Sequence, residues 1–575
     1  MAGEFEVTGK NASAPFSLKV HRGEGMALLA MNWKAQAGNI TEPPNNFVGF
    51  ALQYKEPGGS QFFTVPNRIN FIGADGKVNP KRMPSLTSPI QKFRWVHFPP
   101  NADLTGEFIY RVTPVFMGAA DDLSYGEPQE AAIELRRETY PGQLNVTFTR
   151  GFVASQAFVD RFESAGPIST LLPAKADDGL TFQATHPKTT EALAWMGFEA
   201  RSAILEVLDL AINDATAKVS VVAYDLSEPE VVARLEKLGA RLRIIIDDDG
   251  THGDPGSGEN QAEALLKISA GPPNVLRQHM GKLQHNKTIV VDGAATQKVV
   301  CGSTNYSWRG FFVQSNNAIV MTGANAVGIF RDAFNNYWAN QPANFGNTQS
   351  AEWNDLGFPG IDVRVTFSPQ SDANARLDAI GVDMDQNTKS SLFFSLAFLY
   401  QTNGIIQNTI NKLSNDPSIF VYGISDRKVG GIDVKNPDGN PVPVFPSQLA
   451  KNVPLPFSAE PTGGGGVRMH HKFVIIDFDK PTARVYMGSY NFSKTADVKN
   501  GENLLLIRDR RIAVSYVVEA VRLFDHYSFR IAQMDAKKAQ KQLVLAKPPK
   551  AAGEVAWWKK DYTVPQRIKD RELFA

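Results

Sequence analysis

Cysteine is nearly absent from this 575-residue chain, where Cys301 stands alone. A single thiol excludes an intrachain disulfide and an all-thiolate zinc site, and it fits a reducing interior. No run approaches the ~18 consecutive apolar residues that a membrane-crossing helix requires. The opening MAGEFEVTGKNASAPF lacks the cationic stretch and apolar core of a secretory leader. The expected location is cytoplasmic at synthesis, with a leaderless route of export left open. An excess of one charge is missing as well. The 60 Lys and Arg stand against 59 Asp and Glu, so no chain-wide field marks a nucleic-acid coat or a polybasic membrane anchor. Apolar matter is ample at 43%, enough for packed cores in roughly three or four domains.

From about Glu6 to Leu135 the chain holds short runs rich in branched and aromatic residues: MALLAMNWKA, NFVGFALQYKEPGG, KFRWVHFPP, GEFIYRVTPVFMG and EAAIEL. Gly, Pro and Asn separate them, which predicts an all-β sandwich over residues 1–140. The Trp33 run, FALQYKEPGG and IYRVTPVFMG also resemble a fibronectin type III domain. Trp33 and Tyr110 are expected in the core. After Pro141 the texture turns α/β. EARSAILEVLDLAIND is an amphipathic helix pattern and KVSVVAYDL an apolar strand. EPEVVARLEKLG is a helix with Pro in its first turn, and RLRIIIDDDG a buried strand ending in acids; parallel pairing is expected. SSLFFSLAFLY, GIIQNTINKL and SIFVYGISD then repeat the order strand, helix, strand. An internal duplication accounts for this, with repeats at 141–347 and 348–534 and a basic extension at 535–575.

Each half carries the same sparse motif. QHNKTIVVDG holds His285, Lys287 and Asp292, and RMHHKFVIIDF holds His470, Lys472 and Asp477, 185 residues further on. Ten residues lead from Asp292 to GSTNYS (Gly302 to Ser307) and eleven from Asp477 to GSYNFS (Gly488 to Ser493). Nine residues after these segments come Asn316 and Glu502, each followed by an Asn and an apolar strand. His-x-Lys-x-x-x-x-Asp should arise by accident only about 0.02 times in a chain of this composition, so two copies with matching sequels are a signal.

In these motifs the sequence resembles the phospholipase D superfamily, over about residues 180 to 530. The resemblance implies two tandem α/β repeats around one active site on a pseudo-twofold axis, preceded here by the β-sandwich. It also implies that one phosphodiester is handled by two histidines in opposite protonation states. Such chemistry needs a nucleophile, an acid for the leaving oxygen, and positive charge around the phosphoryl oxygens. Histidine can fill either of the first two roles. Lys287 and Lys472, two residues beyond their histidines, lie on the same face of a strand as those rings and would each bring a cation to the phosphate. Asn305 and Asn491, with the hydroxyls of Ser303 and Ser489, would complete the phosphate-binding donors. Asp292 and Asp477 fall on the opposite side and are read as structural supports. The resemblance further implies that the polar residue after each Gly-Ser-x-Asn-x-Ser segment orients the histidine of the other repeat, pairing Glu502 with His285 and Asn316 with His470. A carboxylate supports a positive phosphohistidine, so His285 is assigned as nucleophile and His470 as general acid.

Other segments carry weaker signals. DDDGTHGDPGSGEN (Asp247 to Asn260) lacks the regular acid spacing of a calcium loop and is read as a solvated loop. TGGGG (Thr462 to Gly466) is either a lid or a plain connection. The tail from Asp535, with WWKKDY, is read as a packed extension in preference to a membrane contact. No metal site and no cofactor are expected. Three functions compete: a phospholipase D acting on glycerophospholipids at a membrane or micelle surface, a nuclease on the same scaffold, and a non-catalytic binding module. Intact motifs disfavour the third. The near-neutral charge disfavours the second, since phosphate-backbone binding leaves a basic stripe. YSWRGFF (Tyr306 to Phe312) and SSLFFSLAFLY are possible linings of an acyl groove. No stable protein partner is inferable.

Overall fold

The computed structural model describes residues 4–34, 42–135, 138–151, 155–339, 342–399, 403–426, 432–438, 441–444 and 467–575. The chain divides into two compact units. One comprises Met1–Arg137 with Val514–Arg522 and Ala532–Ala575, and the other Glu138–Ala513 with Leu523–Ile531.

The first unit holds two larger antiparallel sheets and a separate two-stranded pair, Pro66–Asn67 with Met83–Pro84. One runs Glu6–Thr8, Phe16–Arg22, Ala27–Trp33, Arg94–His97; the other centres on Phe47–Lys55 and Glu107–Met117. Alternation along Glu107–Met117 turns Phe108, Tyr110 and Val112 inward, the period-2 pattern of a half-buried strand. Their core includes Phe16, Trp33, Phe50 and Tyr110, so both expected core aromatics are buried in it. The C-terminal segment packs onto the same core through Ala556, Trp558 and Tyr562. The Trp557 indole donates to the Phe47 carbonyl at 3.0 Å. The tryptophans of WWKKDY are therefore packing residues.

The second unit contains two mixed sheets with a shared strand order. The first runs Leu144–Phe148, Asn317–Thr322, Gln297–Gly302, Lys287–Asp292, Lys218–Ala223, Leu242–Ile246, Val275–Arg277. In the second, Asp362–Ser368, Glu502–Arg508, Arg484–Gly488, Lys472–Ile476, Ser391–Leu396 and Phe420–Asp426 follow the same succession. Only part of each sheet is parallel. Lys218–Ala223 pairs in parallel with Leu242–Ile246 through an intervening helix, Pro229–Leu238, whereas the motif strand Lys287–Asp292 runs antiparallel to it. The link between Lys287–Asp292 and Gln297–Gly302 is too short for a crossover, which forces a hairpin. Among the described residues no helix is long and apolar enough to cross a membrane.

Candidate active site

Each histidine sits two residues before its motif strand begins, at Lys287 or Lys472, and the backbone there is stitched to the opposite sheet. Gln284 bridges Gly501 and Met469 bridges Ser315, so the residue preceding each histidine pairs with the residue preceding Glu502 or Asn316. Gly501 N donates to Leu283 O at 2.8 Å, and Ser315 N to Arg468 O at 2.7 Å. These contacts bring the two imidazoles to 6.4 Å between ring centroids, 3% and 4% exposed. Asp247 accepts from Gln284 N, and Asp426 from Met469 N, buttressing both approaches from the ends of equivalent strands.

The two rings have unlike partners. His285 Nδ1 lies 2.8 Å from a Glu502 carboxylate oxygen, which can only accept, so Nδ1 carries the proton and Nε2 is left with its lone pair. His470 Nδ1 lies 2.9 Å from Asn316 Oδ1. The Asn316 amide nitrogen is held by the Gly310 carbonyl at 2.9 Å, so its oxygen faces the ring and His470 Nδ1 also donates. Lys472 Nζ then stands 3.0 Å from His470 Nε2 and 2.9 Å from the His470 carbonyl. Lys287 Nζ donates to the His285 carbonyl.

Burial and crowded cations set the protonation. Desolvation, then the charges of Lys287 and Lys472, hold His285 well below the ordinary imidazole range. Desolvation and the same two lysines hold His470 low as well. Burial pulls Lys287 down to about 8 and Lys472 well below its normal value, the latter also through Lys287. Burial raises Glu502 to about 7 against the pull of Lys287. The two lysines form a small, buried pair of cations whose mutual repulsion an anion would relieve.

Several residues expected at this centre have other partners. The Ser303 hydroxyl donates to Asn316 Oδ1 at 3.0 Å, and Ser489 bonds Glu502. In this arrangement both hydroxyls are engaged by the residues that hold the histidines. The cause is the turn at Gly302 (φ 144°) and Gly488 (φ 150°), where an added Cβ would collide with the Asn317 or Asn503 carbonyl. Asn305 gives its amide nitrogen to Asp225 at 2.7 Å, leaving Oδ1 without a hydrogen bond, and Asn491 Oδ1 is likewise unpaired. Asn305 thus commits one of its two amide N–H groups to Asp225. Asp477 is fully buried and accepts from the backbone N–H groups of Lys389, Ser390 and Ser391. Asp292 instead pairs with Arg331 at the surface, 2.8 Å away.

Most of the proposed acyl lining is core, although Phe398 of SSLFFSLAFLY stands beside His470, 6.3 Å away. Tyr306, Trp308, Phe311 and Phe312 form a short helix and its flank inside the hydrophobic core, and Phe394 lies in the core of the other sheet. Thr462–Gly466 lies outside the described residues.

Sequence reasoning missed a group beside His285. The Tyr224 ring makes edge contacts with His285 (4.6 Å) and His252 (4.5 Å), and Lys287 Nζ lies 4.5 Å from the centre of the same ring. His252 pairs with Asp225 at 3.1 Å and Asp247 at 2.8 Å, so the segment read as a solvated loop delivers a side chain to the site. Asp225, His252 and Glu259 offer ligand atoms within 4.8 Å of one another, the one such trio among the described residues that has metal-binding spacing. Across the site Phe398 occupies the strand position matching Asp225, 6.3 Å from His470.

A family model described as "Cardiolipin synthase, PLD-like domain" matches residues 208–338 and 443–523, which include both motif histidines. Among curated proteins the chain is similar to phospholipase D of Rickettsia prowazekii (strain Madrid E), 48% identical over 48 residues, and to that of Rickettsia felis, 46% identical over the same length. Each match covers 8% of this chain and 22% of the relative. Among solved structures the chain is similar to phosphatidylserine synthase from Haemophilus influenzae Rd KW20, with a TM-score of 0.42 and 13% identity over 60% of this chain and 94% of that one. It is also similar to the phospholipase D family member Nuc from Salmonella typhimurium, with a TM-score of 0.20 and 21% identity over 24% and 88%. The family match supports the phospholipase D superfamily for the α/β unit.

Proposed function

We propose that the α/β unit is a phosphodiesterase of the phospholipase D type, built from two tandem repeats related by a pseudo-twofold axis and working through a phosphohistidine on His285. The observation that carries this reading is the unlike pairing of two adjacent imidazoles, Glu502 on one and Asn316 on the other.

His285 Nε2 attacks phosphorus, a P–N bond forms, and the bond to the leaving oxygen breaks. Glu502 stabilises the ring as it becomes cationic. The leaving oxygen takes a proton from His470 Nε2. That proton is supplied by the close His470–Lys472 pair, because desolvation and the Lys287 charge make the Lys472 ammonium a ready donor. Phosphate between the two lysines offsets the repulsion that holds His470 low, so substrate binding itself arms the acid. Water or an alcohol then attacks the phosphohistidine with His470 as base. Lys287 and Lys472 neutralise the phosphoryl oxygens throughout.

For the substrate, the wording of the family model and the names of the curated relatives favour a glycerophospholipid. The test is to incubate the protein with mixed phospholipid micelles containing a primary alcohol, and in parallel with single- and double-stranded DNA and RNA. A lipid enzyme yields phosphatidic acid and a phosphatidyl alcohol, both lost in His285→Ala. Cleavage of polymer without lipid product, also lost in His285→Ala and falling steeply with salt, replaces the lipid by nucleic acid. No turnover in any arm overturns the enzymatic reading.

A further inference from the structure

We propose that His252 is a positioning residue of the phosphate site: an imidazolium that neutralises Asp225 and thereby lets an anion occupy the ground between Lys287 and Lys472. The assignment deepens the phosphodiesterase reading and rests on it for the identity of the anion.

The geometry begins with the ring itself. His252 Nδ1 lies 2.8 Å from Asp247 and Nε2 3.1 Å from Asp225. Two carboxylates at two ring nitrogens require both nitrogens to donate, which makes the ring a cation. Although burial alone would lower it, the hydrogen bonds to Asp225 and Asp247 raise His252 to about 10.

Its partners reach the reacting centre from both sides. Asp225 accepts from Asn305 Nδ2 at 2.7 Å, in the turn after the first motif. Asp247 accepts from the backbone of Gln284, immediately before His285. The chain Asn305, Asp225, His252, Asp247, Gln284 thus alternates donor and acceptor from one wall of the site to the nucleophile's own backbone. Tyr224, packed edge-on between His252 and His285, fills the space beside it. The His252 carbonyl and the Asp247 carbonyl both accept from Arg277, at 2.7 and 2.9 Å, which fixes the turn.

Charge explains why the imidazolium is needed. Asp225 is a carboxylate close enough to Lys287 and His285 for their charges to act on it. Unneutralised, it would oppose an incoming phosphate and compete for the cations that should hold it. The other half of the site needs no such device, because Phe398 stands at the matching position. The same trio of His252, Asp225 and Glu259 has the spacing of a metal site, but with a carboxylate on each ring nitrogen the arrangement already holds a proton between Asp225 and His252.

The test uses the full chain and inorganic phosphate as probe, read by calorimetry, so it does not depend on turnover. His252→Gln should weaken phosphate binding by about tenfold or more, the effect of one uncompensated charge in a dry site. Asp225→Asn introduced into His252→Gln should restore the affinity to within a few-fold of wild type, a rescue that simple loss of packing cannot give. Circular dichroism and the melting temperature establish that both variants are folded. Unchanged affinity in His252→Gln overturns the proposal, as does a double variant as weak as the single one. Stoichiometric zinc uptake by wild type that is lost in His252→Gln would also overturn it, by making the trio a metal site. Absence of turnover in wild type with phosphate binding and rescue intact would sink the enzymatic reading alone.

Discussion

Glu502→Gln isolates the charge of the residue that holds His285, because the shape is kept and only the carboxylate is lost. Glu502 is fully buried and its carboxyl is raised from 4.5 to about 7, first by desolvation. At 1.36 kcal/mol per pH unit, keeping it ionised in the folded protein costs about 3 kcal/mol. The sign follows from proton uptake. Between 4.5 and about 7 the folded chain holds a proton that the unfolded chain has released, so stability falls as pH rises through that window, and the whole cost is present above it. Glutamine carries no such cost. The Asn500 amide at 3.1 Å can still donate to the retained carbonyl, but the new amide N–H would face His285 Nδ1. Nδ1 must then accept, the proton moves to Nε2, and the nucleophilic lone pair is gone.

The variant should therefore be as stable as wild type or more so at pH 8.5, by up to about 3 kcal/mol less the lost ion-pair contribution, with little gain at pH 5. Activity should drop on the order of 10³- to 10⁴-fold, as expected when an imidazole is held in the wrong tautomer. Urea midpoints of the α/β unit at the two pH values, followed by intrinsic fluorescence, measure the first effect, and phosphodiester turnover measures the second. Near-normal turnover would refute the assignment of His285 as the attacking group. A variant less stable at pH 8.5 than at pH 5, relative to wild type, would refute the electrostatic account.

Three further outcomes are expected. With a substrate whose leaving group needs no proton, His470→Ala should accumulate a labelled phosphoenzyme on rapid quench while His285→Ala gives none; label in the latter reverses the roles. The kcat/KM profile should be bell-shaped, climbing through about pH 7 as Glu502 ionises and falling above about 8 as Lys287 loses its proton, whereas a monotonic alkaline rise would refute a need for the Lys287 cation at the phosphate. Asp477→Asn should cost about 2–4 kcal/mol because three buried backbone N–H groups lose a charged acceptor, while Asp292→Asn, at an exposed pair, should cost under about 1 kcal/mol; equal losses on denaturation would contradict the contrast.

What the sequence made legible was whatever occurs twice. His285 and His470, their lysines, the Gly turns at 302 and 488, and the Asn316/Glu502 difference all sit in matched registers, so a short motif search reaches them without knowledge of the fold. The partners of the serines and Asn305 were not legible, because a motif gives position and not direction. The glycine turn sends the Ser303 and Ser489 hydroxyls to the back of the site, and Asp225 claims the Asn305 amide. YSWRGFF read as a lining because its aromatics cluster in sequence, yet they form a short helix and its flank with every large ring in the core.

Asp225 and His252 were hidden for a different reason. Asp225 lies 60 residues before His285 and has no counterpart beside the second sheet, where Phe398 stands the same two residues beyond its strand. His252 sits among acids whose irregular spacing suggests solvation, and only the parallel placement of Lys218–Ala223 beside Leu242–Ile246 brings that loop next to the end of the first strand. A repeated motif reveals the groups that both sheets carry. The groups that make the two sides unequal occur once, and for the proposed reaction, in which one histidine attacks while the other gives up a proton, inequality is the chemical requirement. The asymmetric wall of Tyr224, Asp225 and His252 is therefore where differences between members of such a family should be sought, and its visibility depends on tertiary contact.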